Sequence, residues 1–166
     1  MLLAAIATVC LAMPAHTHVI DPFRAPPCDR CAGNRGVELA TSAGTDVRAA
    51  THGVVTFAGQ VGGRNYVVVR ASADRRVRVT YGGLAALAVA RGDAVSTGKS
   101  LGTAADTLFF GVRVGDRHVD PAPFTRAAPA ANATPPASRS GAVPDAPVRP
   151  RFRITLGSAA APACSG

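Results

Sequence analysis

The sequence predicts an all-β fold, an antiparallel sandwich or partly open barrel, from three observations. Short Val-rich apolar runs are bounded by Gly/Asp turns at a spacing of about 8–12 residues. Val77, Val79 and Tyr81 alternate with polar residues, the period of a half-buried strand. No amphipathic helical pattern longer than about two turns occurs in the chain.

The elements follow in order from Gly36. Val47 leads out of the Gly44-Thr45-Asp46 turn, and His52-Gly53 breaks the chain before Val54, Val55 and Phe57. Gly62-Gly63 reads as a turn and Tyr66–Val69 as an apolar strand. Ala71–Asp74 is the next turn, and the alternating strand that follows ends at Gly82-Gly83. Leu84–Val89 reads as a small apolar connector, with turns at Arg91-Gly92-Asp93 and Gly98-Lys99. Leu108–Val114 is the last full strand, turning at Gly115-Asp116 into His118-Val119-Asp120-Pro121. Apolar residues make up 48% of the 166 and aromatics only 5%, so the core must be built from Val, Ala and Leu.

The ends have a different character. Residues 1–15 are a short apolar run ending in small residues, too short to span a membrane as a mature helix. They fit a signal segment cleaved near Ala15, although no Lys or Arg precedes the run. The expected location is therefore extracytoplasmic, at the cell envelope, with no transmembrane span in the mature chain. Residues 16–32 are a Pro/Cys linker. Residues 33–126 are the β domain, and residues 127–166 are an Ala/Pro/Ser-rich tail that is expected to be disordered. Cys28 and Cys31 are compatible with a local disulfide in an exported chain, or with a redox or metal half-site elsewhere. The formal charge is +8, but the arginines are scattered; the only tight cluster is Arg75, Arg76 and Arg78. Nucleic acid is not an expected partner.

The stretch from Gly33 to Gly59 begins an ordered series of motifs. Asn34-Arg35-Gly36-Val37-Glu38 is followed by Gly44-Thr45-Asp46-Val47 and Gly53-Val54-Val55-Thr56-Phe57-Ala58-Gly59. Arg64–Val69, Val79–Leu84, Val89–Gly102, Thr107–Arg113 and Asp120-Pro121 come next. In this order and spacing, the series resembles the LytM/lysostaphin-type zinc metallopeptidases, which cleave peptides of peptidoglycan. The resemblance covers residues 33–124 and implies that family's β domain.

It also implies a site from which the chain departs. In the family, zinc is held by a histidine, an aspartate and the second histidine of a His-x-His pair. Those positions here are Asn34, Glu38 and Phe109. Two further family histidines fall on Gly83 and Thr107. An amide is a poor zinc ligand and a phenyl ring is none, so no zinc, metal ligand or catalytic residue is expected. Loss of general-base assistance alone is worth about two to four orders of magnitude in rate. The expectation is an inactive member whose vestigial groove, formed by Asn34, Glu38, Tyr81, Gly83, Thr107 and Phe109, binds peptidoglycan or a cell-wall hydrolase. Two alternatives stand beside it. One is an active endopeptidase with a rearranged zinc site, for instance from Cys28, Cys31, Glu38 and His52. The other is a biotinyl/lipoyl-like carrier domain modified at Lys99, the only lysine.

Overall fold

The computed structural model describes residues 9–28 and 30–126. Its strands are β1 (Leu11–Ala12), β2 (Val19–Asp21), β3 (Val37–Ala40), β4 (Asp46–Arg48), β5 (Gly53–Val61) and β6 (Arg64–Ala71). They continue as β7 (Val77–Leu87), β8 (Ala94–Val95), β9 (Ser100–Val114), β10 (Arg117–Val119) and β11 (Thr125–Arg126). The only helical element among the described residues is a 3-10 turn at Ala122–Phe124. The all-β antiparallel class expected from alternation and turn spacing is what forms.

One open sheet of nine strands runs in the order β2-β3-β9-β7-β6-β5-β8, with β4 and β10 also paired to β9. Strand β9 is the spine. It pairs antiparallel with β7 along one side and with β4, β3 and β10 in turn along the other. The β5–β6 hairpin closes through Gly62 and Gly63, whose φ values of 57° and 82° are those of a two-residue turn matched to the twist of its strands.

Strand alternation sends one face of this sheet into the core. Leu39, Val55, Val67, Val69, Val79, Tyr81, Leu108, Phe110 and Val112 are fully or almost fully buried there. Val47 on β4, Leu101 and Ala104 on β9, and the loop residues Ala49 and Ala50 join them. Tyr81 and Phe110 meet with ring centroids 5.7 Å apart. The Tyr81 hydroxyl accepts a hydrogen bond from the Ala50 N–H at 2.7 Å. Burial pushes its phenol pKa above the ordinary range, so it remains neutral.

Two sequence readings change. The segment Leu84–Val89 is not a connector throughout, because β7 continues to Leu87 after a bulge at Gly82-Gly83. The apolar run near the N-terminus, read as signal, packs into the domain over its described part. Val9, Leu11 and Ala15 are core residues, with Leu11 only 1% exposed. The Ala12 N–H donates to Ala50 O and the Arg48 N–H to Pro14 O, each at 2.8 Å. Strand β1 lies parallel to β11, and Cys10 is disulfide-bonded. Apolarity reads alike for a signal and for a core strand; here the sheet supplies the surface that buries it.

The linker is likewise tied down, since β2 extends the sheet beside β3 and Arg24 bridges to Asn34. Residues 1–8 and the whole of the expected tail, 127–166, lie outside the described residues.

Candidate functional site

The face of the sheet opposite the core carries the motif residues. Direct cross-strand partners share a face, and the register aligns a row across four strands. Glu38 on β3 pairs with Phe109 on β9, Phe109 with Gly82 on β7, and Gly82 with Tyr66 on β6. Glycines make this row possible. A Cβ on Gly36 or Gly111 would lie 2.7 or 2.8 Å from the Phe109 ring, and one on Gly82 would lie 2.4 Å from the Tyr66 ring. The two aromatic rings therefore lie against bare backbone, which only glycine permits at such distances.

Asn34 is 8% exposed and fully engaged. Its Nδ2 donates to Pro22 O at 3.1 Å, to an Asp21 carboxylate oxygen at 3.3 Å and to Asp21 O at 3.4 Å. Its Oδ1 accepts from the Gly36 N–H at 3.3 Å. The residue pins the segment after β2 against the loop before β3. Asp21 is in turn held by Arg24, whose guanidinium lowers the carboxyl pKa.

Glu38 is half-buried, and burial raises its carboxyl pKa; the Arg64 guanidinium opposes that rise and Asp21 adds to it. Because the folded value lies above the unfolded one, protonation at Glu38 favours the fold. That contribution is fully present below the unfolded pKa, near the ordinary glutamate value of 4.5, and is lost as pH rises through the folded pKa. Glu38→Gln should therefore stabilise the domain at neutral pH and flatten its stability profile just above pH 4.5. Chemical denaturation of both proteins across that range checks this.

Gly83 follows with a φ of 82°, and a Cβ there would sit 2.6 Å from Thr107 O and 4.0 Å from an Arg64 guanidinium nitrogen. Thr107 thus presents its carbonyl to Gly83. Arg64 reaches toward both Gly83 and Glu38, and the sequence reading gave it no role in the site. Nothing in its local sequence marks it; only the β6–β7–β9 register brings it here. Tyr81 is a correction. It was expected in the groove but lies on the core face with Val77 and Val79, as the alternation of β7 requires.

The remaining candidates are elsewhere. Cys28 and Cys31 form a disulfide with Cα atoms 5.0 Å apart, so neither offers a thiolate to a metal site with Glu38 and His52. Lys99 sits in the Ser96–Lys99 turn, its Nζ donating to Ala94 O at 3.3 Å.

Zinc is the cofactor of the family the motifs resemble, and the residues expected at its ligand positions, Asn34, Glu38 and Phe109, do not fit it. They supply one half-buried carboxylate, an amide engaged on all sides and a phenyl ring. Among the described residues no group of three or more His, Cys, Asp or Glu could hold a metal ion. The arrangement supplies surface instead: aromatic rings at Phe109 and Tyr66, a carboxylate at Glu38 and guanidinium groups around them. Beyond Phe109 the same face opens into a depression of about 270 Å³ bordered by Arg35, Arg78, Arg113 and His118.

Residues 32–121 match the family described as Peptidase family M23. Helicobacter pylori Csd3, in two crystal forms, superposes with TM-scores of 0.65 and 0.64 at 23% and 26% identity. Those alignments cover 74% of this chain and 36% or 34% of Csd3, so the chain spans about a third of that protein's length. The catalytic domain of the antimicrobial peptidase lysostaphin from Staphylococcus simulans matches with a TM-score of 0.58 at 24% identity, over 65% of this chain and 91% of that one. A chain of the SpoIIQ–SpoIIIAH pore-forming complex matches with a TM-score of 0.61 at 19% identity, over 72% and 92%. These likenesses establish the fold. No curated protein matches the sequence.

Proposed function

The chain belongs to peptidase family M23, the LytM/lysostaphin type, and from that premise we propose that its domain binds cell-wall peptide without cutting it. What supports this reading most is the set Asn34, Glu38 and Phe109, which the resemblance puts at the family's ligand positions. Asn34 holds the β2 segment, and Phe109 lies over Gly36 and Gly111. Zinc catalysis needs about three protein ligands and an open position for water. What remains is a groove with an aromatic floor and charged margins, suited to holding a peptide.

In this reading the protein is exported and works at the cell envelope, its ligand either peptidoglycan or a hydrolase acting on it. That family members work on peptidoglycan supports the ligand class. The Cys28–Cys31 disulfide supports an oxidising compartment. No helix among the described residues is long and apolar enough to cross a membrane.

The test is incubation of the full chain with purified sacculi, with and without zinc. Co-sedimentation without release of soluble fragments, and substoichiometric zinc after dialysis, are the expected results. Zinc-dependent release of fragments would establish the competing reading, an endopeptidase with a rearranged site. An intact mass showing an unmodified Lys99 disposes of the carrier reading.

A further inference from the structure

The far end of the same sheet face holds a second row, and it is entirely basic. Arg70 on β6 pairs with Arg78 on β7, Arg78 with Arg113 on β9, and Arg113 with His118 on β10. Four strands thus place four basic side chains side by side. Like charges directly opposite one another on a sheet are destabilising, so the fold carries this row at a cost. Of the ion pairs among the described residues, only Arg113–Asp116, at 2.6 Å, touches it, and the Asp116 side chain is 96% exposed. Arg113 is further oriented by donating from Nε to Gly115 O at 2.9 Å. Burial depresses the pKa of His118, and the charges of Arg113 and of Arg35, which approaches from the loop before β3, lower it further.

We propose that this basic depression is an anion subsite that takes a carboxylate of a peptide lying along the groove. Three features define the ligand class. Guanidinium forks match planar carboxylates and bind them with charge-assisted hydrogen bonds. The row between the two ends, Val68, Thr80 and Gly111, is small and largely apolar, so it accepts a carbon chain rather than a continuous run of charge. Arg78 and Arg113 lie four residues along their strands from Gly82 and Phe109, roughly 14 Å at about 3.4 Å per residue. An extended peptide touching Phe109 therefore reaches the basic row with a side chain or terminus a few residues away. The inference rests on reading the groove as a peptide-binding surface, and it adds the recognition element that surface uses.

The test is an NMR titration of the His118 imidazole in the full chain, using glutarate and inorganic phosphate as probes and sodium chloride at equal ionic strength as reference. Glutarate is expected to raise the His118 pKa above its value in chloride, because a bound anion offsets the neighbouring guanidiniums. Arg78→Gln is expected to weaken glutarate binding about ten-fold or more. That variant also relieves repulsion from Arg70 and Arg113, so its melting temperature should hold or rise, which separates lost binding from lost folding. An unshifted His118 in glutarate, equal glutarate affinity in Arg78→Gln, or tighter binding of phosphate than of glutarate would each overturn the assignment. Sacculus binding separates the two readings. If Arg78→Gln still sediments with sacculi as wild type does, the subsite falls and the envelope reading stands. If wild type holds glutarate at His118 but ignores sacculi, the subsite stands and the envelope reading falls.

Discussion

Leu11→Ala will destabilise the domain by about 2–5 kcal/mol, the range for removing a fully buried leucine from a packed core. Leu11 is 1% exposed and lies in the same cluster as Val9 and Ala15. Ile20→Ala is the control. Ile20 is only nine residues further on but 51% exposed, and its substitution should fall within about 0.5 kcal/mol of wild type. A chain starting at His16 should lose more than Leu11→Ala, because the Ala12–Ala50 and Pro14–Arg48 backbone hydrogen bonds go with the segment. Denaturant unfolding of these proteins decides whether residues 9–15 are part of the working domain or a leader. If the His16 chain is as stable as the full chain, the segment is dispensable and the signal reading regains its ground. Mass spectrometry of the N-terminus of exported protein then gives the processing site directly.

Gly83→Ala will cost a further amount of the same order, about 2–5 kcal/mol, from two additive sources. At a φ of 82° a side chain is strained by its own backbone. Its Cβ would also meet the Thr107 carbonyl at 2.6 Å, and that atom is backbone, fixed in the sheet. Gly83→His meets both penalties at its Cβ, before its ring is placed beside Arg64. Putting the family's histidine back at this position should therefore unfold more protein than it activates, and thermal denaturation of both variants measures this. Asn34→His with Phe109→His, which leaves Gly83 in place, is the substitution pair to assay for zinc. Melting temperatures of Gly83→Ala and Gly83→His equal to that of wild type would show that the bulge is pliable and the site repairable.

Part of the site was readable without a fold. The motif order leads one to expect Asn34, Glu38 and Phe109 at the ligand positions, and what those side chains can bind follows from residue type, since no geometry makes a phenyl ring a ligand. Glu38 and Phe109 do come together, as direct cross-strand partners. Tyr81 was placed in the groove because it precedes Gly82-Gly83 in the motif. Its alternation with Val77 and Val79 already pointed the other way, so the correction was available in the sequence. Arg64 and the basic row were not. Their members, Arg64, Arg70, Arg78, Arg113 and His118, are scattered along the chain and become neighbours only through strand register.

The sequence alone determined the all-β class and the family, and set which donor atoms stand at the positions expected to hold zinc. Each depends on local information: period-two alternation, turn glycines, motif order and the donor atoms a side chain owns. Tertiary structure decided which surface buries the apolar run at residues 9–15, how the linker is tied through Asn34, why Gly83 has no room for a side chain, and where positive charge accumulates. Those outcomes depend on which strands lie side by side, and in what register. Hydrophobicity and charge say that a residue needs a partner; only the packed sheet selects which one.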